Sequence, residues 1–251
     1  MRLLTYGDPS KPKILAIHPM LVDSGCAARI LGDIQEQFCI VAPDLSGHGS
    51  DPGHFISAEA DAKALLNDLT ERGWTDFVIL WSASLGAVVA LELLTHREIH
   101  AEAMVFESLP LVKDSPFLRR MVHNTLISKR KQALERPEWV RAALIKAAGP
   151  VFGPVMEAHL FRMKEQDLEN IAVSCVAHKL PKFPPERQRR MFFDFGSEDF
   201  MAKNVDRMLK RTYPQAHVTL HKGCHHCQYP ARLDGSYGRS LLDDLSRVGR
   251  A

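Results

Sequence analysis

The stretch VILWSASLGAVVALELL, Val78 to Leu94, decides how the rest of the chain is read. It opens as an apolar strand, passes through the small residues Ser82, Ala83 and Ser84, and continues from Leu85 as an apolar helix. A sharp strand-to-helix turn lifts one side chain to the apex of the backbone. The residues two before and two after that apex are squeezed against each other and against neighbouring strands, so only small side chains fit there. With Ser84 at the apex the flanks are Ser82 and Gly86, both small. With Ser82 at the apex they are Leu80 and Ser84, and the leucine collides. Ser84 is therefore the candidate nucleophile. The turn also sets Ser84 at a helix N-terminus, where free N–H groups stabilise a developing anion. The plain alternative is that both serines merely cap the helix beginning near Leu85.

Strand and helix signals alternate on both sides of this stretch. KILAIHPM (13–20), CIVAPDLSGHG (39–49), DFVILWSA (76–83) and AEAMVFESLP (101–110) read as apolar strands ending in turns. Between them, AARILGDIQEQF (27–38), AEADAKALLNDLTERG (58–73) and GAVVALELLTHRE have helical spacing. Continuous apolar strands alternating with helices predict an α/β fold: a mostly parallel sheet flanked by helices on both faces. The alternation stops near Pro110, and residues 111–189 read as helices punctuated by prolines. It resumes with a strand in RRMFFDFGSEDF (189–200), a helix in AKNVDRMLKRTYP, a strand in HVTLHKG (217–223) and a final helix ending in SLLDDLSRV. The expected organisation is one core, 1–110 with 190–251, interrupted by a helical cap over 111–189.

Bulk composition excludes several classes. A chain of 251 residues, 45% hydrophobic and 25% charged, is ordinary for a globular domain. Its net charge of +2 gives no general case for nucleic-acid or membrane binding. The N-terminus lacks a signal-peptide pattern and no segment approaches the apolar length of a membrane span. Five cysteines do not make a disulfide framework, which predicts a reducing, cytoplasmic setting.

Taken in order, the markers HPM…SG (His18 to Gly25), DLSGHGSD (44–51), the turn at Ser84, FGSED (195–199) and GCHHCQYP (223–230) resemble the α/β-hydrolase family over nearly the whole chain. The resemblance implies a nucleophile–acid–histidine order. A serine hydroxyl needs a base to take its proton, and the base needs an acid to orient it. By resemblance the base lies in the loop after the last strand, where His226 is favoured and His225 is the alternate. The acid falls on Asp199, in the position of the family's G-x-x-D, with Glu107 at the end of an earlier strand as alternate. The oxyanion donors fall on the N–H groups of Leu85 and Met20. Pro19 replaces the glycine usual before Met20, but the donor needed is Met20's own. His18 is expected to anchor that loop, and Asp44 to tie down local amides. The cap would lie between the family's sixth and seventh strands.

Other signals carry less. Cys224, His225, His226 and Cys227, with His217 and His221 upstream, offer six soft ligands, but no second C-x-x-C completes a zinc site. Residues 113–190 hold sixteen Lys and Arg against eight Asp and Glu. That surplus reads either as a solvated helical face or as a lid attracting an anionic substrate. Met121, Met156, Met163, Phe117, Phe152 and Phe161 would line an acyl pocket or form the cap's own core.

The expectation is a serine hydrolase acting on a carboxylic ester or thioester of a small molecule, needing no metal or organic cofactor. Activity should rise through about pH 6.5, the unperturbed histidine value. Two rivals remain: carbon–carbon bond hydrolysis or lysis on the same triad, and a catalytically silent ligand-binding homologue. Substrate identity and oligomeric state are not written in the sequence.

Overall fold

The computed structural model describes residues 1–200, 205–233 and 235–248. Seven strands form one sheet: β1 (Arg2–Tyr6), β2 (Lys13–Ile17), β3 (Cys39–Asp44), β4 (Asp76–Ala83), β5 (His100–Glu107), β6 (Met191–Gly196) and β7 (His217–His221), in the spatial order β1-β3-β2-β4-β5-β6-β7. All neighbours are parallel except β1, which pairs antiparallel with β3. β1 is a strand the sequence reading missed. Its residues alternate between exposed and half-buried, so it lacks the continuous apolar run that marks the inner strands.

Helices α1 (Ser24–Ile30), α2 (Ala58–Glu71) and α3 (Leu85–Leu93) connect the first strands. The helix expected over 27–38 is instead α1 followed by a short 3-10 turn at Gly32–Ile34. Its start moves upstream because Asp23 caps it, accepting the Cys26 N–H at 2.9 Å. Ser57 caps α2 in the same way, from Ala60 N–H at 3.1 Å.

Between β5 and β6 lie α4 (Pro116–Glu135), α5 (Pro137–Arg162), α6 (Glu165–Ala177) and the short α7 (Pro185–Gln188). Ser115 caps α4, with Pro116 in the first turn, where a missing N–H costs nothing. α5 breaks at Gly149 (φ 83°, ψ 170°), ahead of Pro150, which cannot continue the helical hydrogen-bond ladder. The chain finishes with α8 (Val205–Thr212), α9 (Gln228–Arg232) and α10 (Tyr237–Val248). Residues 202–204 of the helix expected over 202–214 lie outside the described residues.

Strand alternation divides the core between the two faces. Ile14 and Ala16 of β2 pack into one apolar cluster with Trp81, Val105 and Tyr237, while Leu15 and Ile17 pack into the other with Leu80, Val88, Phe106 and Phe193. Trp81 donates its indole N–H to Tyr237 Oη at 3.0 Å, satisfying the one polar atom of the buried ring.

Gly86 shows why the turn after β4 tolerates only small residues. A Cβ there would stand 2.3 Å from Ile17 O and 2.5 Å from His18 O, both backbone atoms of the adjacent strand and loop. Gly86→Ala should therefore destabilise the fold by about 1–3 kcal/mol, the range for overpacking. Urea unfolding measures it. A loss below about 0.5 kcal/mol, the level of an ordinary surface change, would contradict this close approach.

Candidate active site

The turn at Ser84 is held in a conformation that an L-residue rarely adopts, φ 48° and ψ −114°. Such backbone costs of order 1–3 kcal/mol and persists only where the surroundings over-determine it. Here its N–H donates to Glu107 O on β5 at 2.9 Å. Ser82 is fully buried and donates its hydroxyl to Val105 O at 3.0 Å, so its oxygen is occupied within the sheet. Ser84 remains 9% exposed.

Ser84 Oγ lies 2.8 Å from His226 Nε2, and His226 Nδ1 lies 2.7 Å from Asp199 Oδ2. The Asp199 side chain is fully buried, whereas the His226 side chain is 34% exposed. With the imidazole neutral, Nδ1–H donates to the carboxylate and Nε2 accepts from the serine hydroxyl. Burial opposes the imidazolium charge, but the Cys227 sulfur and the Asp199 carboxylate outweigh it and hold His226 well above the ordinary histidine value.

His225 points elsewhere. It is 64% exposed and pairs with Glu198 at 3.3 Å. The turn that separates the two histidines is set by Cys227, in left-handed backbone at φ 54°. Gly196 is what lets this loop close down: a Cβ there would sit 2.1 Å from Cys224 O.

Ser108, which the sequence reading did not single out, braces the same loop. Its hydroxyl accepts the Cys227 N–H at 2.9 Å, while its own N–H donates to Asp194 O at 2.7 Å. Like Ser84 it has positive φ, 51°. A small polar residue directly after a strand was the only signal available.

His18 fixes the loop that carries Met20. Its Nε2 accepts the Leu45 N–H at 3.0 Å, so Nδ1 carries the proton and donates to Pro19 O at 2.7 Å. Burial lowers its pKa to about 4, keeping it neutral. Leu85, as the first helical residue, has an N–H outside the intrahelical ladder. Asp44 accepts from Ser24 N–H at 3.0 Å and Ser50 N–H at 2.7 Å. These bonds hold its carboxyl below the usual range against the opposing effect of burial.

Helix α5 is tied to the turn after β3. His159 Nε2 accepts the Gly49 N–H at 2.9 Å, and Arg162 donates to Gly49 O at 2.6 Å and Gly47 O at 3.2 Å. Part of the basic surplus of this segment is paired locally, as in Arg141–Glu157 at 2.8 Å. Of the six candidate pocket residues, Phe117, Met121 and Phe161 face outward, while Phe152 and Met163 are buried.

Glu107, the alternate acid, takes no part in the Ser84–His226 line. It is completely buried beside Asp194, and burial together with that neighbour pushes its carboxyl well above the usual carboxylate range.

The soft ligands around Cys224 do not gather. His217 stacks on Phe192 with centroids 4.7 Å apart, and Cys224 Sγ lies 3.3 Å from Arg232 Nη1. All five cysteines are free, and Cys227 alone is not buried. Mercurial treatment should therefore inhibit through Cys227, beside the base. Cys227→Ala should abolish that inhibition and Cys224→Ala should leave it; the reverse pattern, read as residual activity after treatment, would contradict the placement.

The chain belongs to the α/β-hydrolase family, whose model matches residues 19–234. No curated protein sequence matches it. Among solved structures it is similar to a thermophilic esterase from Thermogutta terrifontis, at 14% identity and TM-score 0.73, covering 98% of this chain and 93% of that one. It is also similar to an enol-lactonase from Burkholderia xenovorans, at 15% identity and TM-score 0.73, covering 98% and 96%. A bromoperoxidase from Bacillus anthracis gives 14% identity and TM-score 0.72, covering 96% and 93%. At these identities the likeness establishes the fold, and one fold carrying three named chemistries shows why reaction must be argued from the site.

Proposed function

We propose that the chain is a serine hydrolase cleaving a carboxylic ester or thioester of a small molecule through an acyl-enzyme on Ser84. The observation that carries this reading is the unbroken line from Ser84 Oγ through His226 to Asp199, with contacts of 2.8 and 2.7 Å, at the apex of a strained turn. His226 Nε2 takes the hydroxyl proton as Ser84 Oγ adds to the carbonyl carbon. The Asp199 carboxylate holds the imidazole in the tautomer that can accept, and stabilises the imidazolium that forms. The N–H groups of Leu85 and Met20 receive the developing oxyanion. His226 then passes its proton to the departing alcohol or thiol, and the acyl group stays on Ser84. Water, deprotonated by the same nitrogen, attacks the acyl carbon and frees the acid. Helices α4–α7 serve as the cap over this cleft, and the esterase and enol-lactonase among the structural neighbours fit a reaction at an activated carbonyl.

Because neutral His226 is required and its pKa is raised, activity should climb through a limb lying above about pH 6.5 rather than at it. A kcat/KM profile that is flat from pH 5 to 8, in protein that stays folded, contradicts the assignment. A panel of p-nitrophenyl esters and acyl-coenzyme A thioesters of graded chain length tests the reaction class. Turnover of several simple esters is expected. Activity confined to diketone or enol substrates would transfer the site to carbon–carbon chemistry.

A further inference from the structure

On the other side of β5 from the reacting serine, three ionisable side chains converge from adjacent strands. Glu107 ends β5 and stands in register with Asp194 of β6. Asp194 pairs with Thr219 of β7, so His221, two residues further on, projects from the same face as its diagonal neighbour. Among the described residues this is the one grouping of three potential metal-binding side chains, with ligand atoms all within 4.8 Å of one another. His221 Nε2 lies 3.6 Å from Asp194 Oδ1. Around a tetrahedral ion with bonds of about 2.1 Å, ligand atoms stand about 3.4 Å apart, so this pair needs almost no movement and the third ligand a small rotation.

The group is more than an acidic cluster. Glu107 is fully buried, and its Oε2 has no hydrogen-bond partner. His221 Nε2 is likewise buried and unpartnered. Buried polar atoms are nearly always paired, and two orphans converging on one point mark a place for something that accepts lone pairs. The Tyr229 ring of α9, stacked on His221 with centroids 3.4 Å apart, limits the imidazole's rotation. The side chains of Asp194 and His221 remain 16% and 12% exposed, which leaves an entry path and room for a further ligand.

We propose that Glu107, Asp194 and His221 form a binding site for one zinc-type divalent cation, held by a carboxylate oxygen of each acid and by His221 Nε2. An imidazole with two carboxylates suits Zn²⁺ or Co²⁺; Mg²⁺ and Ca²⁺ favour all-oxygen sets. The site lies outside the reaction itself. Its reach to the cleft is through the backbone, since Glu107 O accepts the Ser84 N–H and the next residue, Ser108, accepts from Cys227. A cation here would stiffen the strand end that holds both the nucleophile and the base loop.

The competing occupant of the same oxygens is a proton on Glu107, and metal titration separates the two. Full-length protein freed of metal with EDTA is titrated calorimetrically with Zn²⁺, and separately with Co²⁺ while absorption is recorded. One equivalent should bind, with visible Co²⁺ bands but no intense near-ultraviolet thiolate charge-transfer band. Glu107→Gln and His221→Gln should each weaken binding by about tenfold or more, and His225→Gln should not. His221 lies on the edge strand β7, so that variant keeps the test open if Glu107→Gln fails to fold. Absence of stoichiometric binding by the folded wild type, a thiolate band, or wild-type affinity in His221→Gln would each overturn the proposal, leaving the cluster to a proton.

Discussion

Replacing His226 with alanine should lower kcat/KM by about 10⁶-fold, the order found when a triad base is removed. That corresponds to roughly 8 kcal/mol of lost transition-state stabilisation. The size follows from geometry: the serine hydroxyl, 2.8 Å from His226 Nε2, has no other base in line with it. His225→Ala is the paired control. Its imidazole is exposed and engaged with Glu198, so its loss should change kcat/KM by less than about threefold, a surface-scale effect. Steady-state kinetics on a responsive ester reads both. Equal losses in the two variants, or a large loss only at His225, would mean that the loop adopts another arrangement during turnover.

Asp199→Asn should cost about 10⁴-fold in kcat, because an amide stabilises neither the accepting tautomer nor the imidazolium. A second readout separates this from simple misfolding. The Asp199 carboxylate is one of the groups that raise the His226 pKa, so its removal should move the acidic limb of the residual kcat/KM profile to lower pH. Glu107→Gln should not reproduce that loss, since Glu107 makes no contact with His226 and faces Asp194 across the strand ends. If Glu107→Gln were the more damaging change while Asp199→Asn stayed active, the acid would have to be reassigned to β5.

Much of this architecture is legible in the sequence because it rests on steric necessity. The turn at Ser84 can be read from Ser82 and Gly86 alone, since the contacts that forbid larger residues come from the backbone of β2 and the loop after it. The alternating inner strands are legible for a similar reason: they are buried on both faces and run continuously apolar. β1 is not, because an edge strand with a solvated side leaves only a weak period-two trace. The choice between His225 and His226 is the hardest case. Two adjacent identical residues differ only by the left-handed turn at Cys227 and the hydroxyl of Ser108, and neither leaves a mark in a linear pattern. The Glu107–Asp194–His221 group was invisible for a different reason, since it exists only through strand register. Where local chemistry dictates, sequence suffices; where long-range registry dictates, it does not.

The central claim is that Ser84 carries an activated hydroxyl. Folded protein should react stoichiometrically with a fluorophosphonate probe, and peptide mass spectrometry should locate the adduct on Ser84, with labelling lost in Ser84→Ala and in His226→Ala. An unlabelled Ser84 in protein shown to be folded, or an adduct on any other residue, would contradict the account and leave a ligand-binding protein built on a hydrolase frame.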